Sequence, residues 1–315
     1  MTIANKPLFI WAGGKTKLIN RFYSSFLPQN KRISHYCEPF FGGGAFFIHL
    51  VSHHPLDGEI VINDINEDIM LIYREIKSNV NEFIECCESL YEKPFLEIPK
   101  SNLDERKTFF YEVRKKNAFD YLSMTTTERA AIQFFLMKTS FNGIYQINKN
   151  TNGRFGTPAG LMKQTDKVFD RDVVHWWNRT LNERDVTIKS ESYEHVLSDF
   201  SNKNSEQTFI FLDPPYRGCF TSYGQTFGDE QQKHLVSFAD SLEYDDSLFL
   251  ANRKVSPDDV FFHSLVEQSM SLSIEEHAIT YTAGRRKQES DGSFSAKKGT
   301  EILIHRAKKL LDIWG

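Results

Sequence analysis

The tetrapeptide Asp213-Pro214-Pro215-Tyr216 stands directly after the apolar run Phe209-Ile210-Phe211-Leu212. If that run is a buried parallel strand, its acid sits where open α/β sheets gather ligands, beyond the carboxyl end of a strand. Two prolines stiffen the backbone and supply no N–H. The carbonyls of Asp213 and Pro214 then form a rigid row of acceptors beside an aromatic ring. An exocyclic amino group has donors for those acceptors, and a flat base can stack on Tyr216. Alone, the tetrapeptide also suits a stiff turn carrying a surface acid.

Other stretches carry weaker signals of the same kind. Glu38-Pro39-Phe40-Phe41-Gly42-Gly43-Gly44 opens a helix after a second strand, and its glycines let a ligand approach the backbone closely. It lacks a complete G-x-G-x-x-G, so no dinucleotide fingerprint follows. Asp64 ends a strand about twenty residues beyond Gly44, the spacing at which an acid bonds ribose hydroxyls. It could equally cap a helix. Trp11-Ala12-Gly13-Gly14-Lys15-Thr16 imitates the end of a phosphate loop, but Phe9 occupies the place of the required first glycine. Lys15 at a helix start can hold a carboxylate, and Trp11 can cover a flat ring. A buried Trp and a solvated Lys are the plain alternatives.

The elements that must position these residues read as α/β. A helix is expected over 17–26, a strand near 34–37, a helix over 45–51 and a strand over 58–64. This is the opening of a doubly wound sheet. From 71 to 167 helical spacing dominates, for example over 80–91 and 128–139. Asn152-Gly153, flanked by 144–147 and 154–157, predicts a β-hairpin. Strands return at 186–188, 209–212, 247–251 and 302–304, with a helix over 229–242.

The bulk composition sets limits. The chain has 315 residues, 40% of them hydrophobic and 25% charged, ordinary globular values. No stretch approaches the ~20 apolar residues that cross a bilayer. Residues 1–8 lack the layout of a signal peptide, so a cytoplasmic protein with no membrane association is the expectation. Cys37, Cys86, Cys87 and Cys219 form no zinc-like spacing and read as free thiols. A net charge of −4 is unusual for a nucleic-acid binder. Basic residues nevertheless gather at Arg114-Lys115-Lys116, Lys149, Arg154, Lys163 and Lys167. A second set comprises Arg285-Arg286-Lys287, Lys297-Lys298, Arg306, Lys308 and Lys309. Charge alone decides nothing, since distribution matters more than the sum.

Taken together and in order, these motifs resemble the Dam type of DNA adenine N6-methyltransferases, over nearly the whole chain. Phe141-Asn142-Gly143, residues 153–158 and Phe220-Thr221-Ser222-Tyr223 extend the likeness. The resemblance implies a Rossmann-like methyltransferase sheet, residues 1–70 and 168–315, with an inserted helical target-recognition domain, residues 71–167, carrying the hairpin. It implies S-adenosylmethionine as methyl donor and no metal. Trp11, Lys15, Glu38, Phe40, Gly42, Gly44, Asp64 and Asp213 would bind the cofactor, with Ser192-Tyr193 near its adenine. Asp213, Pro214 and Tyr216 would act on a target adenine flipped out of duplex DNA. Asn142, Gln146, Asn148, Arg154 and Tyr223 would contact DNA. A monomer or weak dimer is expected, and a separately acting restriction endonuclease is compatible with it.

Two departures bear on the target. Relatives that methylate GATC commonly have arginine where this chain has Gln146, and glutamine prefers adenine where arginine prefers guanine. Arg154-Phe155-Gly156-Thr157-Pro158 also departs from the usual F-N-V-P. Both speak against GATC and leave adenine as the target. Rival readings are an RNA or protein methyltransferase, which would typically carry N-P-P-Y and no insert, a cytosine N4 enzyme, and an inactive DNA-binding module that kept the fold.

Overall fold

A computed structural model describes residues 5–11, 15–23, 33–160, 167–201, 208–218, 227–242, 247–280, 287–288, 294–295 and 298–306. In chain order, α1 (Thr16–Arg21) precedes β1 (Ile33–Glu38), α2 (Ala45–His53) and β2 (Leu56–Asn63). A helical run follows: α3 (Glu67–Ser78), α4 (Val80–Cys86), α5 (Lys93–Glu97), α6 (Leu103–Phe119), α7 (Thr126–Thr139) and α8 (Arg171–Glu183). Then come β3 (Thr187–Lys189), α9 (Tyr193–Ser201), β4 (Thr208–Leu212), α10 (Asp229–Ser241) and β5 (Ser247–Arg253). The chain closes with α11 (Phe261–Val266), β6 (Ser273–Thr280), β7 (Lys287–Gln288), β8 (Phe294–Ser295) and β9 (Lys298–His305).

Seven strands form one mixed sheet in the order β3-β2-β1-β4-β5-β9-β6, and β7 pairs with β8 apart from it. Strands β1 to β5 are parallel, while β9 runs antiparallel to both β5 and β6. The architecture is that of a Rossmann-like methyltransferase. Strand order grows outward from β1 on one side and from β4 on the other. The topological switch point, where such sheets bind ligands, therefore lies between β1 and β4. Glu38 ends the first of these strands and Asp213 follows the second.

The sheet's hydrophobic signature explains its position. Every residue of β4 is buried. Phe209 and Phe211 face one core with Phe46, Phe249 and the helical run. Ile210 and Leu212 face the other with Cys37, Val61, Leu248 and Leu250. Phe46 stacks on Phe211 with ring centroids 4.0 Å apart and planes 6° off parallel. Full burial of each such ring contributes ~2–3 kcal/mol. Cys37 and Cys87 are buried free thiols and Cys86 is half-buried, while Cys219 lies outside the described residues.

Local chemistry shapes the helices. In α3, Ile69, Ile72, Tyr73 and Ile76 recur at helical spacing and are buried, and the Asn66 side chain caps the Ile69 N–H at 3.3 Å. A capping box of Thr125 and Glu128 starts α7. The helix expected over 80–91 is interrupted: after α4 the chain takes a π-helical stretch, Cys87–Glu92, before α5. Pro94 has no N–H for the carbonyl four residues earlier, and the wider turn accommodates its ring.

The hairpin differs from expectation. Asn152 and Gly153 both have positive φ, 54° and 74°. They close a 3-10 turn, Lys149–Thr151, rather than forming a two-residue loop. Asn148 begins the turn, its side chain accepting from the Asn150 N–H at 2.8 Å. Only one antiparallel bridge, Ile147 with Phe155, joins the two arms, and Ser140 with Ala159 closes the base. Sequence reading missed β6 altogether, because its residues alternate between half-buried and exposed and none is fully buried.

Candidate active site

At the switch point the ends of β1, β2 and β4 bring Glu38, Asp64 and Asp213 near one another, and Lys15 pairs with Asp213. Lys15 is 4% exposed, and its Nζ lies 3.1 Å from Asp213 Oδ1 and 4.5 Å from the centre of the Tyr216 ring. Burial raises the Asp213 carboxyl above its ordinary value, and the Lys15 charge and hydrogen bond pull it back down. Glu38 is buried beside them. Desolvation lifts its carboxyl well above the usual range, the 2.6 Å bond from the Tyr36 hydroxyl opposes this, and the charges of Asp213 and Asp64 add to the rise.

Asp64 is tied to the glycine loop. Its Oδ2 accepts the Gly42 N–H at 2.8 Å and its Oδ1 the Asn66 N–H at 2.9 Å. Burial pushes it up to about 6 despite those bonds. Gly42 and Gly44 adopt left-handed backbone, φ 49° and 66°. A Cβ on Gly42 would stand 2.4 Å from Trp11 Nε1, so the indole covers the loop that only glycine leaves open. Phe40 packs against Tyr193 and Phe227 at 5.2 and 5.7 Å, beyond the same strand ends.

These groups can hold a ligand with a carboxylate, polyhydroxyl and aromatic parts and a cationic centre. The profile of the D12 class N6 adenine-specific DNA methyltransferases matches residues 11–281. The chain belongs to this family. It is 32% identical over 270 residues to the type II methyltransferase M.MjaIII of Methanocaldococcus jannaschii, covering 83% of this chain and 88% of that protein. Type II methyltransferase M1.LlaDCHI of Lactococcus lactis is 26% identical over 308 residues, 95% of this chain and 94% of the relative. The DNA adenine methylase of Escherichia coli K12 is 25% identical over 244 residues, 76% of this chain and 77% of the relative. The protein is thus an adenine-specific DNA methyltransferase, and membership implies S-adenosylmethionine as donor and DNA as substrate.

Four of the expected DNA contacts of this methyltransferase, Asn142, Gln146, Asn148 and Arg154, fall within residues 140–160. Asn142, Gln146 and Asn148 are exposed there, and Asn142 has φ 54°. Gly143 packs so tightly on Ile10 that a Cβ would come 2.3 Å from the Ile10 carbonyl oxygen, which seats the loop next to Trp11. Arg154 is half-buried. Its guanidinium stacks 3.2 Å above the Tyr121 ring and lies 3.7 Å from Asp68. Asp68 also accepts from the hydroxyls of Tyr121 and Tyr145 at 3.1 and 2.8 Å. Arg114 likewise spends its guanidinium on the Gly156 and Thr157 carbonyls. Tyr223, Gly13, Gly14, Lys163 and most of the C-terminal basic set lie outside the described residues. Among the described residues, no helix is long and apolar enough to cross a membrane.

Several supporting residues escaped the sequence reading. Asn63, fully buried, bonds the Pro39 carbonyl at 3.0 Å and both backbone groups of Glu191, stitching three strand ends together. Tyr216 donates its hydroxyl to Glu301 of β9 at 2.6 Å. Gln232 and Asn252 stand behind the proline turn. The one available signal was indirect: a polar residue inside an apolar strand, as with Asn252 after Leu248-Phe249-Leu250-Ala251, has to find a partner.

Proposed function

We propose that the enzyme transfers a methyl group from S-adenosylmethionine to N6 of an adenine flipped out of duplex DNA, in restriction-modification or epigenetic marking. The observation that carries this reading is the Lys15–Asp213–Tyr216 cluster at the switch point. When bound, the cofactor supplies a methyl already activated on a sulfonium. The residues present fit it: a lysine for its carboxylate, the Asp64 carboxylate for its ribose, and a glycine loop under Trp11 for its close approach, with Glu38, Phe40, Gly42 and Gly44 completing the surround.

The adenine amino nitrogen is a poor nucleophile because its lone pair is conjugated with the ring. Asp213 and the Pro214 carbonyl accept hydrogen bonds from its two N–H groups and draw the nitrogen towards tetrahedral geometry, one of the two protons leaving as the new N–C bond forms and the C–S bond breaks. This needs an ionised Asp213 inside a buried site, and Lys15 holds that charge in place against desolvation. One oxygen faces Lys15, and the carboxylate retains further lone pairs for the amino group. Tyr216 stacks on the extruded base, and the protein's work is alignment and electrostatics.

Residues 71–167 serve as the target-recognition part, with Asn142, Gln146 and Asn148 towards DNA. Arg154 braces their loop from behind. Incubating the full chain with labelled cofactor and duplex DNA, then digesting to nucleosides, tests the reading: label is expected in N6-methyladenine. Asp213→Ala should abolish transfer while partly keeping cofactor affinity. Near-normal turnover of that variant refutes the assignment.

A further inference from the structure

Tyr216 is fixed at both of its peptide bonds by two buried side-chain amides. The Pro215 carbonyl, immediately before it, accepts from Gln232 Nε2 at 2.9 Å. The Arg217 N–H, immediately after it, donates to Asn252 Oδ1 at 3.1 Å. The two amides meet each other, Asn252 Nδ2 donating to Gln232 Oε1 at 2.9 Å. Asn252 Oδ1 also takes the Arg253 N–H at 2.9 Å. Both side chains are 0% exposed.

The polarity of this chain of bonds is forced. A backbone N–H only donates, so Asn252 must turn its oxygen towards Arg217 and its nitrogen towards Gln232. Gln232 must then present its oxygen to Asn252 and its nitrogen to Pro215, whose carbonyl only accepts. Each bond fixes the orientation of the next, and reversing either amide sets like groups against each other at both of its ends. Gln232 comes from α10 and Asn252 from β5, so the turn is referenced to the helix and strand that follow it.

We propose that Gln232 and Asn252 are positioning residues for methyl transfer: as one relay they hold the peptides on either side of Tyr216, and so set its ring and the Pro214 carbonyl against the target base. The inference rests on the proposed roles of Asp213, Pro214 and Tyr216. Neither amide touches substrate. Their effect is on where the acceptors stand, and an error of about 1 Å in such a group costs on the order of 10²-fold in rate.

Gln232→Met and Asn252→Leu remove the relay at nearly constant volume. In the full chain, single-turnover transfer of labelled methyl to duplex DNA is expected to fall roughly 10- to 100-fold in each. Affinity for S-adenosylmethionine, measured by calorimetry, should stay within about threefold, because the residues proposed to hold it are untouched. Since the bonds act in series, the double variant should lie within about threefold of the slower single one. A folded single variant that transfers at the wild-type rate overturns the proposal. So does a double variant whose loss is the product of the single losses, or a loss of cofactor affinity equal to the loss of rate, which marks a merely structural role. If the apolar variants do not fold, Asn252→Asp keeps the acceptor for Arg217 and removes the donor to Gln232. It should slow transfer and retain affinity, and a wild-type rate overturns the proposal. A wild-type chain that leaves adenine unmethylated shows instead that the underlying reading has failed.

Discussion

Replacing Asp68 by alanine tests separately the loop of residues 140–160, proposed above to face DNA, and the acids at the strand ends. Asp68 stands in the first turn of α3, where a negative charge favours the helix by ~0.5 kcal/mol. Its carboxylate takes hydroxyl hydrogen bonds from Tyr121 and Tyr145 at 3.1 and 2.8 Å. Bonds to a charged acceptor contribute ~1.5 kcal/mol each at the lower end of their range, appropriate to this partly buried site. Arg154, at 3.7 Å and itself partly exposed, adds ~0.5 kcal/mol. The total is ~4 kcal/mol, of which ~2 kcal/mol, from Tyr145 and Arg154, ties residues 140–160 to α3, and ~1.5 kcal/mol ties Tyr121, just beyond α6. The loss therefore falls on local opening rather than on the sheet. For residues 144–157 the ~2 kcal/mol corresponds to roughly 30-fold in the opening equilibrium. Amide hydrogen exchange across residues 144–157 should accelerate towards that factor, while β4 and β5 keep their protection. Steady-state methylation should show a raised KM for DNA. Cofactor affinity should hold, because the bonds of Asp64 to Gly42 and Asn66 remain. Unchanged exchange in residues 144–157, together with an unchanged KM for DNA, would refute the reasoning.

Gly42→Ala combines two costs: ~1–2 kcal/mol for a side chain at φ 49°, and ~1–3 kcal/mol for a Cβ placed 2.4 Å from Trp11 Nε1. In a Trp11→Ala background only the first should remain in urea unfolding, and equal costs in both backgrounds would contradict the packing. Burial raises Asp64 from 3.8 to about 6, so the folded protein holds this proton more tightly than the unfolded chain does. Its contribution is fully present below pH 3.8 and is lost as pH rises through about 6, ~3 kcal/mol in all. Wild type should lose stability relative to Asp64→Asn across that window, and parallel melting curves would exclude it. Tyr216→Phe strips the buried Glu301 of a donor at 2.6 Å and should cost ~1–3 kcal/mol in thermal unfolding. Glu301→Gln, which keeps an acceptor there, should cost less, and the reverse order would argue against this bond.

Much of the fold is legible because its strands announce themselves locally. The uninterrupted apolar runs of β4 and β5 leave no polar face for water, so they have to lie inside a parallel sheet. Asp213 follows the run of β4 directly, the glycines come shortly after the more polar β1, and strand ends are where ligand residues of this architecture stand. What misled was the meaning of short-range signals. Asn152-Gly153 fits a tight hairpin by composition, yet the Asn148 side chain captures the Asn150 N–H first and starts the turn earlier. Arg154 carries the charge of a phosphate contact, and its sequence position does not show that Asp68 and the Tyr121 ring engage it as well.

The supporting bonds were illegible for a different reason. Pro214-Pro215 makes an acceptor-rich turn with two missing donors, so the sequence already implies that some buried donor must meet a carbonyl there. It cannot give that donor's address. Gln232 follows the turn at one remove and Asn252 at another, and they become neighbours only because β5 lies beside β4 with α10 crossing between them. Glu301 arrives from β9, which no pattern near Tyr216 foretells. A need for a partner is thus written into the local sequence, whereas the partner's identity belongs to the topology. A buried polar residue such as Asn252, directly after the apolar run Leu248-Phe249-Leu250-Ala251, is a place where the two can be matched.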